Sequence, residues 1–250
     1  MTVSEMLVAL RAQKPLIQCL TNSVVENFTA NALLAAGAAP AMIHDPVEAG
    51  EFAAFADATL VNVGTVTHEQ AEAMRKAVAT CNAQGRPWVL DPVAVGALSL
   101  RTAVANELKL QHPALIRGNA SEIKALAGEA SKSRGVESGD ATEAAVDAGR
   151  RLAAETGAVV LITGETDYVL SPDGVVEAIR GGSELMQYVT GMGCAQGAFA
   201  AAVLAVVKDP FEAAKLTAEA WAAAGALAAQ GNAHAIGNFQ IAFLNALSAR

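Results

Sequence analysis

The chain has 250 residues, of which 53% are hydrophobic, and a formal net charge of −8. This length and apolar content are typical of one α/β domain with a large core, so we expect residues 1–250 to form a single domain. The negative charge, without a cluster of lysine and arginine, argues against nucleic acid as a partner. Three widely spaced cysteines without a CxxC pair argue against a disulfide framework or a zinc site and favour a reducing compartment.

We expect neither a membrane span nor a leader. Residues 1–13 form a short amphipathic stretch rather than a basic segment followed by an apolar run. The apolar run at residues 198–207 is too short to cross a bilayer and is closed by Lys208-Asp209-Pro210. The sequence therefore predicts a soluble, cytoplasmic protein.

Apolar runs with β-branched residues alternate with segments of helical period through the first half of the chain. Capping residues predict two further helix starts, at Asp45-Pro46 and at Asn119 with Glu122. Strands are predicted at residues 16–20, 41–44, 59–63, 88–90 and 115–117, and helices at residues 25–36, 67–82 and 102–110.

The second half begins with a polar stretch, residues 128–139, that predicts a loop. A helix that begins at Asp140 with Glu143 and runs to Thr156 follows, and then a strand at 159–163. Residues 168–170 and 175–179 predict a hairpin, the one antiparallel element. The remainder is alanine-rich and helical, at residues 194–208, 211–230 and 239–248. Repeated strand–helix alternation predicts an α/β fold with a mostly parallel sheet and helices on both faces.

A glycine turn, Gly191-Met192-Gly193-Cys194, precedes a long apolar segment that predicts a buried helix. Glycines at a helix N-terminus let backbone N–H groups approach a ligand, and the helix dipole favours an anion there. Cys194 falls in the first turn, where we expect a thiol to be more acidic than usual. The turn suits a phosphoryl group with a reactive atom beside it.

Polar residues follow six successive predicted strands. Because ligands bind at the carboxyl ends of the strands in open parallel sheets, the joint pattern favours a site, although each segment alone could be a cap or a strand end. The segments are Thr21-Asn22-Ser23, His44-Asp45, Asn62 with Gly64, residues 91–96, residues 117–119 and residues 163–165.

Two acids and one arginine within this set fit a cation and a phosphate. Asp91 and Glu122 supply the one or two carboxylates that Mg²⁺ typically takes from a protein, and Arg117 supplies a forked donor for phosphate. Glu122 could equally do no more than complement the helix dipole. Neither GxxxxGKS/T nor a GxGxxG motif after the first strand occurs, so a P-loop and a dinucleotide fingerprint are excluded.

Several motifs together resemble a known family. They come in the order seen in hydroxyethylthiazole kinases, and the chain is similar to that family over nearly its whole length. The motifs are Gln18-Cys19-Leu20-Thr21-Asn22, Met42-Ile43-His44-Asp45-Pro46, Leu90-Asp91-Pro92-Val93, Ile116-Arg117-Gly118-Asn119-Ala120-Ser121-Glu122 and Val189-Thr190-Gly191-Met192-Gly193-Cys194.

The resemblance implies a ribokinase-like three-layer αβα sandwich. It also implies ATP- and Mg²⁺-dependent phosphorylation of 4-methyl-5-(2-hydroxyethyl)thiazole in thiamine synthesis or salvage, by a homotrimer with active sites between subunits. The residue roles carried over are Met42, Gly191 and Asn22 for the thiazole, Arg117, Thr163 and Gly193 for ATP, Asp91 and Glu122 for Mg²⁺, and Cys194 where the hydroxyl is activated.

The chain departs from the family pattern at Met192, where threonine or serine is usual, at Ala195, where serine is frequent, and at Ala94, where glycine is usual. Three alternatives therefore stay open: another vitamin-precursor kinase of the hydroxymethylpyrimidine or pyridoxal type, a non-catalytic thiazole-binding relative, and a hydrolase or acyltransferase with Cys194 as nucleophile. Treating Arg117 and Glu122 as accessible polar residues, we expect their replacement to impair turnover far more than folding.

Overall fold

The computed structural model describes residues 1–129 and 142–248, and an eight-stranded sheet runs through them in the order β2-β1-β3-β4-β5-β6-β7-β8. Strands β1 to β6 run parallel to one another, and the antiparallel pairs among the described strands are β6 with β7 and β7 with β8. The strands are β1 (Leu16–Leu20), β2 (Ala39–Ala41), β3 (Ala58–Asn62), β4 (Trp88–Asp91), β5 (Leu115–Asn119), β6 (Val159–Thr163), β7 (Thr166–Leu170) and β8 (Val176–Arg180). The predicted mostly parallel sheet with one hairpin is confirmed.

Helices cover both faces of this sheet, and each face has its own buried apolar cluster. One cluster joins the sheet to α1, α2, α8, α9 and α10, and the other joins it to α3 to α7. The helices are α1 (Val3–Gln13), α2 (Glu26–Ala36), α3 (Glu48–Ala53), α4 (His68–Gln84), α5 (Ser99–Leu108), α6 (Ala120–Leu126), α7 (Val146–Thr156), α8 (Met192–Val206), α9 (Pro210–Ala229) and α10 (Ile236–Ser248), with a 3₁₀ turn at Glu184–Tyr188. The predicted three-layer arrangement is confirmed.

Helix α8 lies at the centre of one layer, as its apolar sequence predicts. Phe199 is fully buried, and its ring centroid lies 5.5 Å from that of Trp221 in α9. Trp221 in turn meets Phe243 of α10 edge-on at 4.8 Å. Aromatic pairs in these arrangements contribute about 0.5–1.5 kcal/mol each beyond their buried area, so they fix α8 against both neighbouring helices.

Two helix starts are set by local sequence. The side chain of Thr67 accepts the Gln70 amide at 3.1 Å while the Gln70 side chain accepts the Thr67 amide at 3.0 Å, which caps α4. The same reciprocal pair joins Asn119 and Glu122 at the start of α6. Each box satisfies two N–H groups that a helix N-terminus otherwise leaves unpaired, so both predicted starts are confirmed.

The second strand is displaced from its prediction. The predicted strand at residues 41–44 is wrong beyond Ala41, because the ladder of β2 with β1 pairs Leu16 with Ala39 and ends where Gln18 meets Ala41. An edge strand bonds on one side only, so nothing holds residues 42–44 in the sheet. Asp45 then caps the next turn by accepting the Val47 amide at 2.7 Å, although α3 itself begins at Glu48.

Other bounds differ by a few residues. Helix α5 runs three residues earlier than predicted at its start, from Ser99 to Leu108. Most of the loop predicted at residues 128–139, and the predicted helix start at Asp140, lie outside the described residues. Within the described ranges, none of the helices is both long and apolar enough to cross a membrane.

Candidate active site

Five strand ends and one helix N-terminus meet at a single edge of the sheet. Asn22 follows β1, Asn62 ends β3, Asp91 ends β4, Arg117 lies in β5 and Thr163 ends β6. Hydrogen bonds or an ion pair link all five to one another or to the first turns of α8. These five strand-end side chains, which the sequence predicts to meet, therefore form a connected polar network.

A chain of side-chain amides joins the first strand ends. Asn22 Nδ2 donates to Asn62 Oδ1 at 3.1 Å, and Asn62 Nδ2 donates to Asp91 Oδ2 at 2.6 Å. Asn62 Oδ1 also accepts the amide of Gly64 at 3.0 Å. Asn22 Nδ2 lies 3.5 Å from Cys194 Sγ, so this series of hydrogen bonds ends at the thiol. Asn62 was noted as a strand-end residue in the sequence, but only the fold shows that it connects Asn22 to Asp91.

The predicted acidity of Cys194 is wrong. Burial and, to a smaller extent, the carboxylate of Asp91 raise the pKa of this thiol to about 11, although contacts with Asn62, Arg117 and Asn22 lower it in part. The helix N-terminus favours the thiolate, but enclosure beside a carboxylate outweighs that effect. At neutral pH Cys194 is a neutral thiol that can orient a neighbouring group.

Asp91 presents an oxygen with unused bonding capacity. The residue is fully buried, and its Oδ1 atom has no hydrogen-bond partner among the described residues. The nearest cation is Arg117, whose Nη1 lies 3.9 Å from Asp91 Oδ1. Burial raises the pKa of Asp91, and the Arg117 charge lowers it in part. A buried carboxylate oxygen without a partner is costly, so this atom is well placed to receive a cation or a cation-bound water.

Arg117 is held in a fixed orientation by residues from two elements, β6 and α8. Its Nε donates to Gln196 Oε1 in α8 at 3.0 Å, and its Nη2 donates to Thr163 Oγ1 at 2.9 Å. Gly193 lies directly over the guanidinium, since a Cβ on that residue would stand 2.8 Å from both Nη atoms. The predicted phosphate-binding residues Arg117, Thr163 and Gly193 therefore lie together.

Glu122 joins two loops from inside the protein. Its Oε1 accepts the Ala94 amide at 2.9 Å, and its Oε2 accepts the Asn119 amide at 2.9 Å. Ala94 has φ of +55°, a conformation that favours glycine and that this hydrogen bond helps to hold. Glu122 and Arg117 are 9% and 8% exposed, so the expectation that both are accessible residues is wrong.

A cleft of about 710 Å³ opens beside this network. A volume of this size is typical of sites for small molecules and cofactors. Residues of the network or next to it line the cleft, together with Ser183, Met186 and Trp221 among others; the former are Arg117, Thr163, Gly164, Asp167, Gly193 and Gln196.

The structure shows two cleft residues that sequence reasoning missed. Gln196 is buried in α8, where it reads as part of an apolar helix, and Asp167 lies in the hairpin strand β7. Burial raises the pKa of Asp167 to about 6, while the amide of Gly164, which donates to it at 3.0 Å, and the charge of Arg117 lower it in part. A lone glutamine in an alanine-rich helix was the available signal for Gln196.

The residues expected at the thiazole do not all meet. Asn22 contacts Cys194, as described above. Gly191 caps α8 with φ of +90°, and a Cβ there would lie 3.0 Å from Val25, so its role includes close packing against the start of α2. Met42 is partly buried, follows the edge strand β2 and packs against the apolar cluster of its layer. The structure thus places Met42 on an outer edge of the sheet.

The two predicted metal ligands fit a cation unequally. Asp91 offers its unpartnered Oδ1, whereas each oxygen of Glu122 already accepts one backbone N–H. A carboxylate oxygen has two lone pairs, so Glu122 can still accept from a metal-bound water. No group of three or more His, Cys, Asp or Glu residues arranged to hold a metal occurs within residues 1–129 and 142–248. Mg²⁺ needs no such group when phosphate oxygens complete its coordination.

Comparison with known proteins agrees with the motifs. Residues 7–249 match the Hydroxyethylthiazole kinase family. The chain is 50% identical to the hydroxyethylthiazole kinase of Klebsiella pneumoniae over 238 residues, which is 95% of this chain and 91% of that protein. It is 49% identical to the hydroxyethylthiazole kinase of Corynebacterium glutamicum over 245 residues, covering 96% of this chain and 91% of the relative.

Solved structures give the same result. The hydroxyethylthiazole kinase protein of Pyrococcus horikoshii superposes with a TM-score of 0.86 at 35% identity, over 98% of this chain and 92% of that one. A ribokinase-like superfamily protein of Enterococcus faecalis superposes with a TM-score of 0.64 at 11% identity, over 99% of this chain and 88% of that one. The second likeness concerns the fold alone and confirms the ribokinase-like architecture. Together with the strand-end network, these matches establish that the chain belongs to the hydroxyethylthiazole kinase family.

Proposed function

We propose that residues 1–250 form one kinase domain that transfers the γ-phosphoryl group of ATP to the hydroxyl of 4-methyl-5-(2-hydroxyethyl)thiazole, a step of thiamine synthesis or salvage. The observation that carries the proposal is the arrangement of Arg117, which is held over Gly193 at the N-terminus of α8 and beside a carboxylate with a free oxygen. This arrangement concentrates donors and positive charge where a transferred phosphoryl group needs them.

In this mechanism the protein supplies positioning and charge. ATP occupies the 710 Å³ cleft, with its phosphates between Arg117, Thr163 and the backbone at Gly193. Asp91, with Glu122 acting through water, would hold Mg²⁺, which when bound neutralises phosphate charge. The hydroxyl oxygen of the thiazole attacks the γ-phosphorus, the bond from that phosphorus to the ADP oxygen breaks, and the hydroxyl proton is lost late to the phosphoryl oxygens. Such a reaction depends on alignment more than on covalent chemistry by side chains.

Cys194 orients the alcohol in this scheme. Its thiol is neutral at pH 7 because burial raises its pKa to about 11, and its hydrogen-bond partner is Asn22. A nucleophilic cysteine needs a lowered pKa or an adjacent base, and an asparagine supplies neither. The geometry therefore supports a kinase better than a hydrolase or acyltransferase built on this residue.

We propose a homotrimer in which the thiazole lies between subunits. Met42 is half-buried beyond an edge strand of three residues, whose outer side pairs with no other strand in the part of the chain that the structure describes. Val24, Leu34 and Val47, which flank this edge in sequence, are each more than half exposed. Packing of a second subunit here would cover these apolar side chains and bring Met42 into a shared site. Three free thiols are consistent with function in the cytoplasm.

A coupled ADP-release assay with ATP and Mg²⁺ tests the proposal over a panel of alcohols: hydroxyethylthiazole, hydroxymethylpyrimidine and pyridoxal. We expect turnover of the thiazole alcohol above the other two. Preferred turnover of the pyrimidine or of pyridoxal would instead assign the chain to another vitamin-precursor activity, and thiazole binding without turnover would make it a non-catalytic relative.

The variant Cys194→Ala separates the kinase from a covalent mechanism in the same assay. We expect it to retain measurable activity, because the thiol only orients the alcohol. Complete loss of activity in a folded Cys194→Ala protein, with an acyl group trapped on the wild-type thiol, would replace the kinase with a cysteine-nucleophile enzyme.

A further inference from the structure

Gln196 is a buried polar residue with no role in the mechanism given above. It lies one turn into α8 and is 3% exposed, within a helix whose other inward residues are apolar or small. A buried amide is costly unless its oxygen and its nitrogen both find partners. Its oxygen accepts Nε of Arg117 at 3.0 Å, although the two residues are 79 positions apart in the chain.

This contact determines how the guanidinium of Arg117 is turned. Arginine has five N–H donors in one plane and no acceptor. Gln196 accepts from Nε and Thr163 accepts from Nη2 at 2.9 Å, so hydrogen bonds to two different nitrogens fix the plane. Gly193 covers one face of that plane. The N–H groups of Arg117 that donate to neither Gln196 nor Thr163 are available to a phosphate.

The orientation of the amide itself is also set. Because Arg117 can only donate, the oxygen of Gln196 must face it, and the amide nitrogen then faces away. The carboxylate of Asp167 also interacts with the Gln196 side chain and accepts the Gly164 amide at 3.0 Å. A glutamine is the uncharged side chain of this length that can accept from an arginine and donate to a carboxylate at once.

The lack of charge on Gln196 matters for the neighbouring groups. Asp91 already lies 3.9 Å from Arg117 Nη1 and offsets part of its charge. A carboxylate at position 196 would pair with the same guanidinium, repel Asp167 and repel an incoming phosphate. An amide orients the guanidinium without offsetting its positive charge.

We propose that Gln196 is a positioning residue for nucleotide binding. Its uncharged amide oxygen orients the guanidinium of Arg117 toward the phosphates of ATP and leaves the positive charge of Arg117 available to them. This inference rests on the proposed function in taking ATP as the ligand of Arg117. It predicts that position 196 controls nucleotide affinity while leaving the thiazole site unaffected.

Two variants of the full-length protein test this role. Gln196→Glu keeps the size of the side chain and the acceptor for Nε but adds a charge, and Gln196→Met keeps the approximate volume and removes the acceptor. Gln196→Met loses a hydrogen bond to a charged group, which contributes about 1.5–3 kcal/mol, whereas Gln196→Glu keeps that bond but offsets the charge of Arg117 and repels phosphate. We therefore expect at least a tenfold rise in the Kd and KM for ATP in both variants. The KM for hydroxyethylthiazole should stay within about twofold.

Gln18→Met is the matched control. Gln18 is also fully buried, and its side-chain amide donates to the carbonyl of Ala49 in α3 at 2.9 Å, away from Arg117. We expect this variant to lose stability without a change in the Kd for ATP. An equal loss of nucleotide affinity in Gln18→Met would mean that the Gln196 effect is a general consequence of removing a buried amide, and would overturn the proposal.

The glutamate variant gives the sharpest outcome, because it keeps the acceptor for Nε of Arg117 and the size of the side chain and changes only the charge. Wild-type affinity for ATP in Gln196→Glu would show that any acceptor at this position suffices and would refute the requirement for an uncharged group. Isothermal calorimetry with ATP and Mg²⁺ measures this without any thiazole. If the wild-type protein binds ATP but phosphorylates no thiazole, the proposed function fails while the comparison of Kd values still decides the role of Gln196.

Discussion

Gly193→Ala should leave the protein folded while strongly impairing its use of ATP. Gly193 is helical, and its φ does not lie in the left-handed region, so the backbone accepts alanine. The added Cβ, however, would stand 2.8 Å from both Nη atoms of Arg117.

The size of the effect follows from that distance. Carbon packs against other heavy atoms at about 3.5 Å or more, so the guanidinium must retreat by roughly 0.7 Å. A shift of that size lengthens the contacts to Thr163 and Gln196, now 2.9 and 3.0 Å, beyond hydrogen-bond range. Misplacement of a binding group by ~1 Å can reduce the rate about 100-fold. We therefore expect kcat/KM for ATP to fall by between about tenfold and 100-fold.

Steady-state kinetics with ATP and Mg²⁺, together with thermal unfolding, measure both halves of this prediction. Gly237→Ala is the control, because a Cβ at that helical position in α10 meets nothing within 4 Å. It should leave kcat and KM unchanged. If folded Gly193→Ala has the wild-type KM for ATP and the wild-type kcat, the close contact between Gly193 and Arg117 has no functional role, and the reasoning is refuted.

Three further predictions concern stability. Glu122→Gln should destabilise the fold by about 1–3 kcal/mol in chemical denaturation and lower turnover, because an amide cannot accept both the Ala94 and the Asn119 N–H; unchanged stability would contradict the two hydrogen bonds. Ala94→Gly should be nearly neutral and Ala94→Val destabilising by about 1–2 kcal/mol in thermal unfolding, since φ is +55°; the opposite order would rule out the left-handed conformation. The pKa of Asp167 is raised to about 6 in the folded state, so its contribution to stability is complete below its unfolded pKa and is lost as pH rises through about 6. In Asp167→Asn this pH-dependent loss of stability should be absent, so the unfolding free energy of the variant minus that of the wild type should rise between pH 4 and pH 7. If the unfolding free energies of the two proteins depend on pH in the same way, the raised pKa of Asp167 is refuted.

Local sequence determined the elements and their order. The capping pairs Thr67 with Gln70 and Asn119 with Glu122 appear in the structure where the sequence predicts them, because a capping box involves residues only three positions apart. The alternation of apolar runs and helical periods likewise predicts the mostly parallel sheet. From that topology it follows that strand-end residues such as Asp91 and Arg117 meet at one edge.

Bounds were less predictable where a partner strand sets them. Strand β2 ends at Ala41 because its ladder with β1 ends there, and the residues that follow are as apolar as those before. Their conformation depends on a pairing register between segments about 20 residues apart. No pattern within residues 39–44 carries that information.

The chemistry of the site was the part that only tertiary structure decided. A helix N-terminus predicts an acidic Cys194, but the pKa of a thiol responds to burial and to nearby charges, and both come from the packing of distant strands. Glu122 has the sequence of a helix cap, yet its second oxygen holds the loop at Ala94. Gln196 looks like an isolated polar residue until the fold sets it against Arg117. The sequence determined which residues reach the edge of the sheet at the carboxyl ends of the strands, because strand order and capping follow from local or periodic patterns. The charge state and orientation of those residues depend on desolvation and on hydrogen bonds between distant segments, which only the tertiary structure provides.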